Sequence, residues 1–304
     1  MRIMLAGATG TLGGPLVEQL LHAGHDVVGI TRSREGAERL VAVGAMVIRA
    51  DVLDREALLR AGQDQTADAV IHQLTALKKA PARHQHMHDT NRLRIQGSDN
   101  LVEFAQHLGA SRFVTQSIVF GYGYRDHGAA FLTEDSSFGT RHGNSFDEHI
   151  AAMVHAEKMA IGTPGLDGVC LRYGLMYGGD VGTVVRMLRK RALPVARNGG
   201  RLPFVHHRDA AAATVAAVER GRPGAVYNVV DDAATTFRSL ITGIAEAFGA
   251  PTPMVLPQWL LDLAAPYGGF VLGRVSMHVS NACAKQELDW EPTFPTYRDF
   301  LNAC

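Results

Sequence analysis

The sequence predicts an α/β protein built on a doubly wound parallel sheet, and three observations carry that expectation. Short, almost unbroken apolar runs recur, the first at residues 3–6, as strands buried on both faces of a parallel sheet require. These runs alternate with stretches of helical period, the order in which parallel strands and their crossover helices follow one another. Between the first run and the first helical stretch, Gly7, Gly10 and Gly13 fall at the spacing G-x-x-G-x-x-G.

A strand, a glycine turn and a helix in that order separate a dinucleotide fingerprint from a chance group of glycines, and make the expected sheet Rossmann-type. Gly7 would allow the sharp turn out of the strand, Gly10 the approach of backbone to a pyrophosphate, and Gly13 the close packing of helix on sheet. The helix N-terminus then offers free N–H groups and a positive dipole end to phosphates. A glycine-rich turn without a ligand is the plainer reading of the same residues.

Taken in order, residues 15–23 carry Leu16, Val17, Leu20 and Leu21 on one helical face, and Gly24 ends the pattern. Residues 25–31 read as the second strand. A carboxylate after that strand would receive the ribose hydroxyls of NAD, and an arginine the 2′-phosphate of NADP. The chain has Thr31, Arg32, Ser33 and Arg34, with no carboxylate before Glu35, which points to NADP(H) clamped by Arg32 and Arg34. A solvated loop is the alternative. Residues 45–50 form a third strand ending at Asp51 and Val52, placed to flank an adenine. Residues 69–74 form a fourth, followed by Thr75 and Ala76 on the nicotinamide side.

Residues 78–94 contain His84, His86 and His88 at spacing i, i+2, i+4, yet no carboxylate or cysteine motif completes a ligand set. They read as a solvated basic loop, and no metal is expected. Residues 94–108 read as an amphipathic helix and residues 112–120 as a fifth strand. The long, polar, glycine-rich segment 121–144 reads as a substrate lid, with Tyr122 and Tyr124 as candidate substrate contacts.

In the second half, 165–172 is a strand, 184–191 a helix, 208–220 an alanine-rich helix, 225–230 a strand and 237–248 a helix. The apolar cover at 251–273, with Trp259, Leu260, Leu261, Tyr267 and Phe270, suits a hydrophobic substrate or a subunit surface, so a homodimer is among the expectations. Lys plus Arg and Asp plus Glu are each 30, which argues against a nucleic-acid partner. Cys170, Cys283 and Cys304 lack C-x-x-C spacing, as in a reducing compartment, and no apolar run reaches about 18 residues. A cytoplasmic protein acting on a small molecule, without a membrane partner, is expected.

The stretches GATGTLG at 7–13, DV at 51–52, GSDNLVEFA at 97–105, RFVTQSIVFGYG at 112–123, LRYGLMYG at 171–178, FVHHRDAAAA at 204–213, YNVVDD at 227–232 and SNACAKQELDWEPTFP at 280–295 resemble the extended short-chain dehydrogenases/reductases, the NAD(P)-dependent epimerase/dehydratase group. The resemblance implies a Rossmann domain over 1–175 and 203–230 and a smaller C-terminal substrate domain over 176–202 and 231–304. It also implies cofactor contacts at Gly7, Thr9, Gly10, Thr11, Leu12, Arg32, Asp51, Val52, Leu74, Thr75 and Ala76. Tyr173 and Tyr177 fall where that group packs against the nicotinamide, and read as cofactor and substrate contacts or as core aromatics.

The group's usual Tyr-x-x-x-Lys pair is absent: none of the seven tyrosines has a lysine four positions later. On the helix over 145–161, anchoring on Lys158 puts Val154 at the Tyr position, whereas anchoring on Glu157 puts His149 there and Met153 at the Lys position. The group's Ser/Thr maps to Ser117, or with a one-residue shift to Gln116, and its Asn maps to Arg94. Ser117, at the C-terminal edge of a strand, and His149, whose ordinary pKa suits transfer near neutrality, are the candidate proton donors. The leading expectation is an NADPH-dependent ketone or enone reductase working without the Tyr and Lys. A non-redox dehydratase, isomerase or cyclase and a cofactor-sensing regulator are the rivals, and a sugar-nucleotide epimerase is disfavoured by the missing Tyr.

Overall fold

The computed structural model describes residues 1–77 and 79–304. Seven strands form one parallel sheet: β1 (Arg2–Ala6), β2 (Asp26–Thr31), β3 (Met46–Arg49), β4 (Ala69–His72), β5 (Arg112–Ile118), β7 (Asp167–Tyr173) and β8 (Val226–Val229). Their order is β8-β7-β5-β4-β1-β2-β3, and β6 (Asp126–Leu132) lies outside this sheet. The order reverses between β1 and β4, where Ala6 is paired with Ile30 on one side and His72 on the other. A doubly wound sheet opens its binding crevice at that reversal.

The apolar runs of the central strands are buried because helices cover both faces. On one face α1 (Gly13–His22) sets Leu16, Val17 and Leu20 against Ala210, Ala213 and Ala217 of α7 (His207–Arg220), whose small side chains admit close approach. On the other face α3 (Arg55–Ala61), α5 (Ser98–His107) and α6 (Asp147–Gly162) bury Leu58, Leu101, Phe104 and Ala160 over Val70 and Phe113. α2 (Arg34–Ala42) is capped by Ser33, whose hydroxyl accepts from the Gly36 amide at 3.0 Å. Short two-stranded pairs, β6 with Ser276–Val279 and Leu175–Tyr177 with Phe204–His206, frame a second core around Tyr124, Phe146, Met153 and Met277. Among the described residues no helix is long and apolar enough to cross a membrane.

Two segments differ from expectation. Lys78 lies outside the described residues and 79–83 are irregular as expected, but 84–94 is not a loop: His84–Met87 is a 3-10 turn that runs into helix α4 (His88–Arg92) and a π turn at Leu93–Gly97. Met87, Thr90, Asn91 and Arg94, at i, i+3, i+4 and i+7, are all buried. Three of those four are polar, so the inward stripe leaves no hydrophobic pattern. The expected lid at 121–144 is pinned along half its length, because β6 pairs with Ser276–Val279 and the Phe138 ring packs on the Arg172 guanidinium at 3.7 Å. The apolar cover holds two helices, Gln258–Ala264 and Pro266–Arg274, which bury Leu261 and Tyr267 and leave Trp259 exposed.

The glycine turn ties these layers together. A Cβ on Gly13 would lie 2.2 Å from the Gly7 carbonyl oxygen and 2.6 Å from the Ala8 backbone, so this glycine serves contact with the turn rather than with the sheet. Gly13→Ala is therefore expected to cost about 1–3 kcal/mol, the usual penalty for overpacking. Urea unfolding reads this directly, and an unchanged midpoint would contradict it.

Candidate active site

β1 leaves the sheet through Gly7 at φ +99°, where a Cβ would stand 2.5 Å from the Gln73 carbonyl oxygen. Only glycine meets both conditions. The chain then turns so that the Gly10 amide donates to the Gly7 carbonyl at 3.0 Å and the Gly14 amide to the Gly10 carbonyl at 3.1 Å, and α1 starts at Gly13 with the amides of Thr11, Leu12 and Gly13 left without a backbone partner among the described residues.

A cleft of about 590 Å³ runs from this turn along the reversal point. Gly7, Thr9 and Gly10 line one part, Thr31, Arg32, Ser33, Asp51 and Val52 another, and Leu74, Thr75 and Ala76 a third. Arg32 Nη1 lies 3.6 Å from an Asp51 carboxylate oxygen, with both side chains open to solvent. Free amides and a bare glycine for phosphates, a guanidinium beside them, and apolar Val52, Leu53 and Leu93 for a flat ring match the requirements of a dinucleotide.

The other sequence-derived cofactor residues lie elsewhere. Thr11 and Leu12 in the turn and Gly13 at the start of α1 do not line the cleft. Arg34 pairs with Glu38 along the surface of α2, with 2.9 Å between Nε and Oε1, and is also absent from the lining. Tyr173 is 1% exposed; its hydroxyl accepts from Gln73 Nε2 at 2.8 Å and hydrogen-bonds Thr214 at 2.7 Å, which makes it an internal strut. Gln73, Asp89, Arg92 and Leu93 line the cleft and were not singled out in sequence. The last three are spaced i, i+3, i+4, a helical signal hidden within the histidine-rich segment.

Along α6, His149, Met153 and Glu157 face inward while Val154 and Lys158 face solvent. Glu157 is bound to Arg172 at 2.8 and 2.9 Å, and Ser117 donates its hydroxyl proton to Glu157 at 2.5 Å. Burial opposes the charge on Arg172, but the hydrogen bonds and charge of Glu157 hold its pKa above the ordinary arginine value. Ser117 thus belongs to a buried ion-pair network. Its neighbour Gln116 donates instead to the carbonyl of Leu74, a residue of the cleft lining, without lining the cleft itself.

Tyr122 accepts from Arg172 at 3.0 Å and donates to Asn228 at 2.8 Å, while the Tyr124 and Tyr267 hydroxyls bond each other at 3.1 Å. Tyr177 is buried against Phe204, His206 and Phe300. All three candidate substrate tyrosines lie in the second core.

His149 is fully buried. Its Nδ1 lies 2.7 Å from Asn91 Nδ2 and its Nε2 lies 2.9 Å from His84 Nδ1, with the two imidazoles nearly parallel at 9°. Assigned from this network, the Asn91 amide donates to Nδ1, His149 donates from Nε2 to His84, and His84 donates from Nε2 to the Ser145 hydroxyl at 3.4 Å. Burial foremost, with His84 and Arg94 adding to it, pushes the His149 pKa down to about 4, so the ring is neutral. The histidine trio read in sequence does not converge. His84 instead joins Glu148 and His149, whose ligand-type atoms lie within 4.8 Å of one another, and His84 and His149 use theirs to bond each other.

The model of the NAD dependent epimerase/dehydratase family matches residues 3–230. The chain is 36% identical to a Streptomyces protein named 3-diazoavenalumate denitrifying reductase, over 99% of both chains. It is 27% identical to a 2-alkyl-3-oxoalkanoate reductase of Stenotrophomonas maltophilia, over 83% of this chain and 77% of that one. The fold matches the NAD complex of UDP-glucose 4-epimerase from Thermus thermophilus with a TM-score of 0.76 at 23% identity, over 99% and 98% of the two chains.

A histidine that folds with a pKa near 4 against 6.5 refuses protons that the unfolded chain accepts, so its contribution to stability is present above pH 6.5 and lost as the pH falls toward 4. The stability of the protein relative to its His149→Gln variant should therefore shrink through that window, by at most about 1.4 kcal/mol per pH unit. Urea midpoints of both proteins at pH 7 and pH 5 measure this; a constant difference would contradict it.

Proposed function

The chain belongs to the NAD dependent epimerase/dehydratase family and is an NAD(P)-dependent enzyme of oxidoreductase type, and from that premise we propose that it is an NADPH-dependent ketone or enone reductase acting on a small hydrophobic or aromatic molecule. The reductase names of two relatives, one of them similar over the full chain, support reduction over epimerisation. The preference for NADPH rests on one observation: Arg32 lines the cleft at the end of β2, in a turn with no carboxylate before Glu35. A planar guanidinium suits phosphate oxygens. Asp51 beside it gives Arg32 a partner that the phosphate would share or replace.

When bound, the nicotinamide supplies a hydride, and positioning alone can provide much of the rate. The residues of this chain have the remaining tasks. Gly7 and Gly10 keep the backbone free for the phosphates, and Gln116 fixes the Leu74 edge. In this reading water in the open cleft supplies the proton that a phenol would otherwise give, because both ring nitrogens of His149 are engaged, one by Asn91 and one by His84. His149 is held neutral with a proton on Nε2, and His84 connects it to Ser145 at the surface. Ser117 is a positioning residue, holding Glu157 beneath His149 and Met153 on the same helix face.

NADPH should bind at least tenfold more tightly than NADH. Arg32→Ala should weaken NADPH about 10- to 100-fold, the range of a lost charge-assisted hydrogen bond, and leave NADH unchanged. Fluorescence titration of both nucleotides measures this, and an unaltered preference in the variant would remove Arg32 from the clamp.

A further inference from the structure

Arg94 stands where the family resemblance expects an asparagine, inside the π turn Leu93–Gly97. It is only 8% exposed, and its Nη1 is buried with no hydrogen-bond partner. Among the described residues no ion pair includes it, in contrast to Arg172, which is also buried and fully paired with Glu157. A buried guanidinium without a counter-charge is costly, of the order of several kcal/mol, and a fold keeps one where something else neutralises it.

The surroundings supply no anion. The guanidinium acts electrostatically on His72 at the end of β4 and on His149 at the start of α6, and it senses the phenols of Tyr124 and Tyr267. Burial holds both imidazoles neutral and keeps both phenols protonated. The charge therefore sits among neutral rings, between the strand end that borders the nicotinamide side of the cleft and the helix that carries His149. The residue before Arg94, Leu93, lines the cleft, whereas the rings around Tyr124 are packed on one another.

From the buried guanidinium without a counter-charge we propose that Arg94 binds the carboxylate of the substrate, so that the molecule reduced is a ketone or enone acid. This deepens the reductase reading and rests on it for the word substrate; the anion site itself rests on Arg94 alone. The carboxylate takes two N–H bonds from the fork of the guanidinium. Arg94 is a binding residue here, and no proton or hydride passes through it.

The test uses cinnamate, phenylpyruvate and benzoylformate with their methyl esters, titrated calorimetrically against the full-length protein with and without NADPH. At least one acid should bind tenfold or more tightly than its ester. Arg94→Met should remove that advantage, Arg94→Lys should keep part of it, and both variants should retain NADPH affinity. Acids and esters that bind the unaltered protein alike, or not at all, would overturn the proposal even if Arg94→Met failed to fold, and so would an Arg94→Met protein that kept the preference. A protein that preferred the acids but bound no NADPH would uphold the anion site and refute the reductase reading.

Discussion

The structure depends on a place with no room for side chains, the contact between the Gly7 carbonyl, the Gly13 backbone and the end of β4. Gly7 adopts a positive φ against Gln73, and Gly13 brings the first turn of α1 to within contact of Gly7 itself. Because both positions lack Cβ atoms, the helix axis points its free amides into the gap where the strand order reverses. The cleft, its guanidinium at Arg32 and its apolar walls at Val52 and Leu93 all border that gap. A larger residue at either glycine would move the amides that the whole site is arranged around.

Three buried polar groups show how the second half of the site differs from the first. Arg172 is paired, hydrogen-bonded on several sides and stacked on Phe138, which anchors the segment after β5. His149 is buried but neutral, and its two hydrogen bonds set the direction of the chain from Asn91 to Ser145. Arg94 has neither a partner nor a way to neutralise itself, because a guanidinium stays protonated under all ordinary conditions. The first two are complete within the chain, whereas the third calls for a ligand.

The Rossmann sheet was legible because its strands are buried on both faces and so appear as apolar runs, and because Gly7, Gly10 and Gly13 have a backbone reason for their spacing. The helical turns at 84–97 were not, since the inward stripe consists of Met87, Thr90, Asn91 and Arg94 and hydropathy reads a polar stripe as a loop. The alternation of β5 separates Ser117 from Gln116 onto opposite faces, and a single sequence gives no means of choosing which one bonds Glu157 and which the Leu74 carbonyl. Arg34 and Tyr173 read as plausible cofactor contacts from position alone; their partners, Glu38 in one case and Gln73 with Thr214 in the other, lie one helical turn away or across the fold. On α6 the sequence does not show that Glu157 is the buried partner of Arg172, because the two lie on different elements and meet only in the fold.

The central claim is that the nicotinamide in this cleft reduces the substrate and is not a fixed scaffold for a redox-neutral reaction. Incubation with NADPH carrying deuterium at the transferable C4 position, in the presence of aryl ketones and enones, tests it most directly by mass spectrometry. The account predicts one deuterium on the product carbon and an equal amount of NADP formed. Product without the label, accompanied by undiminished NADPH, would contradict it.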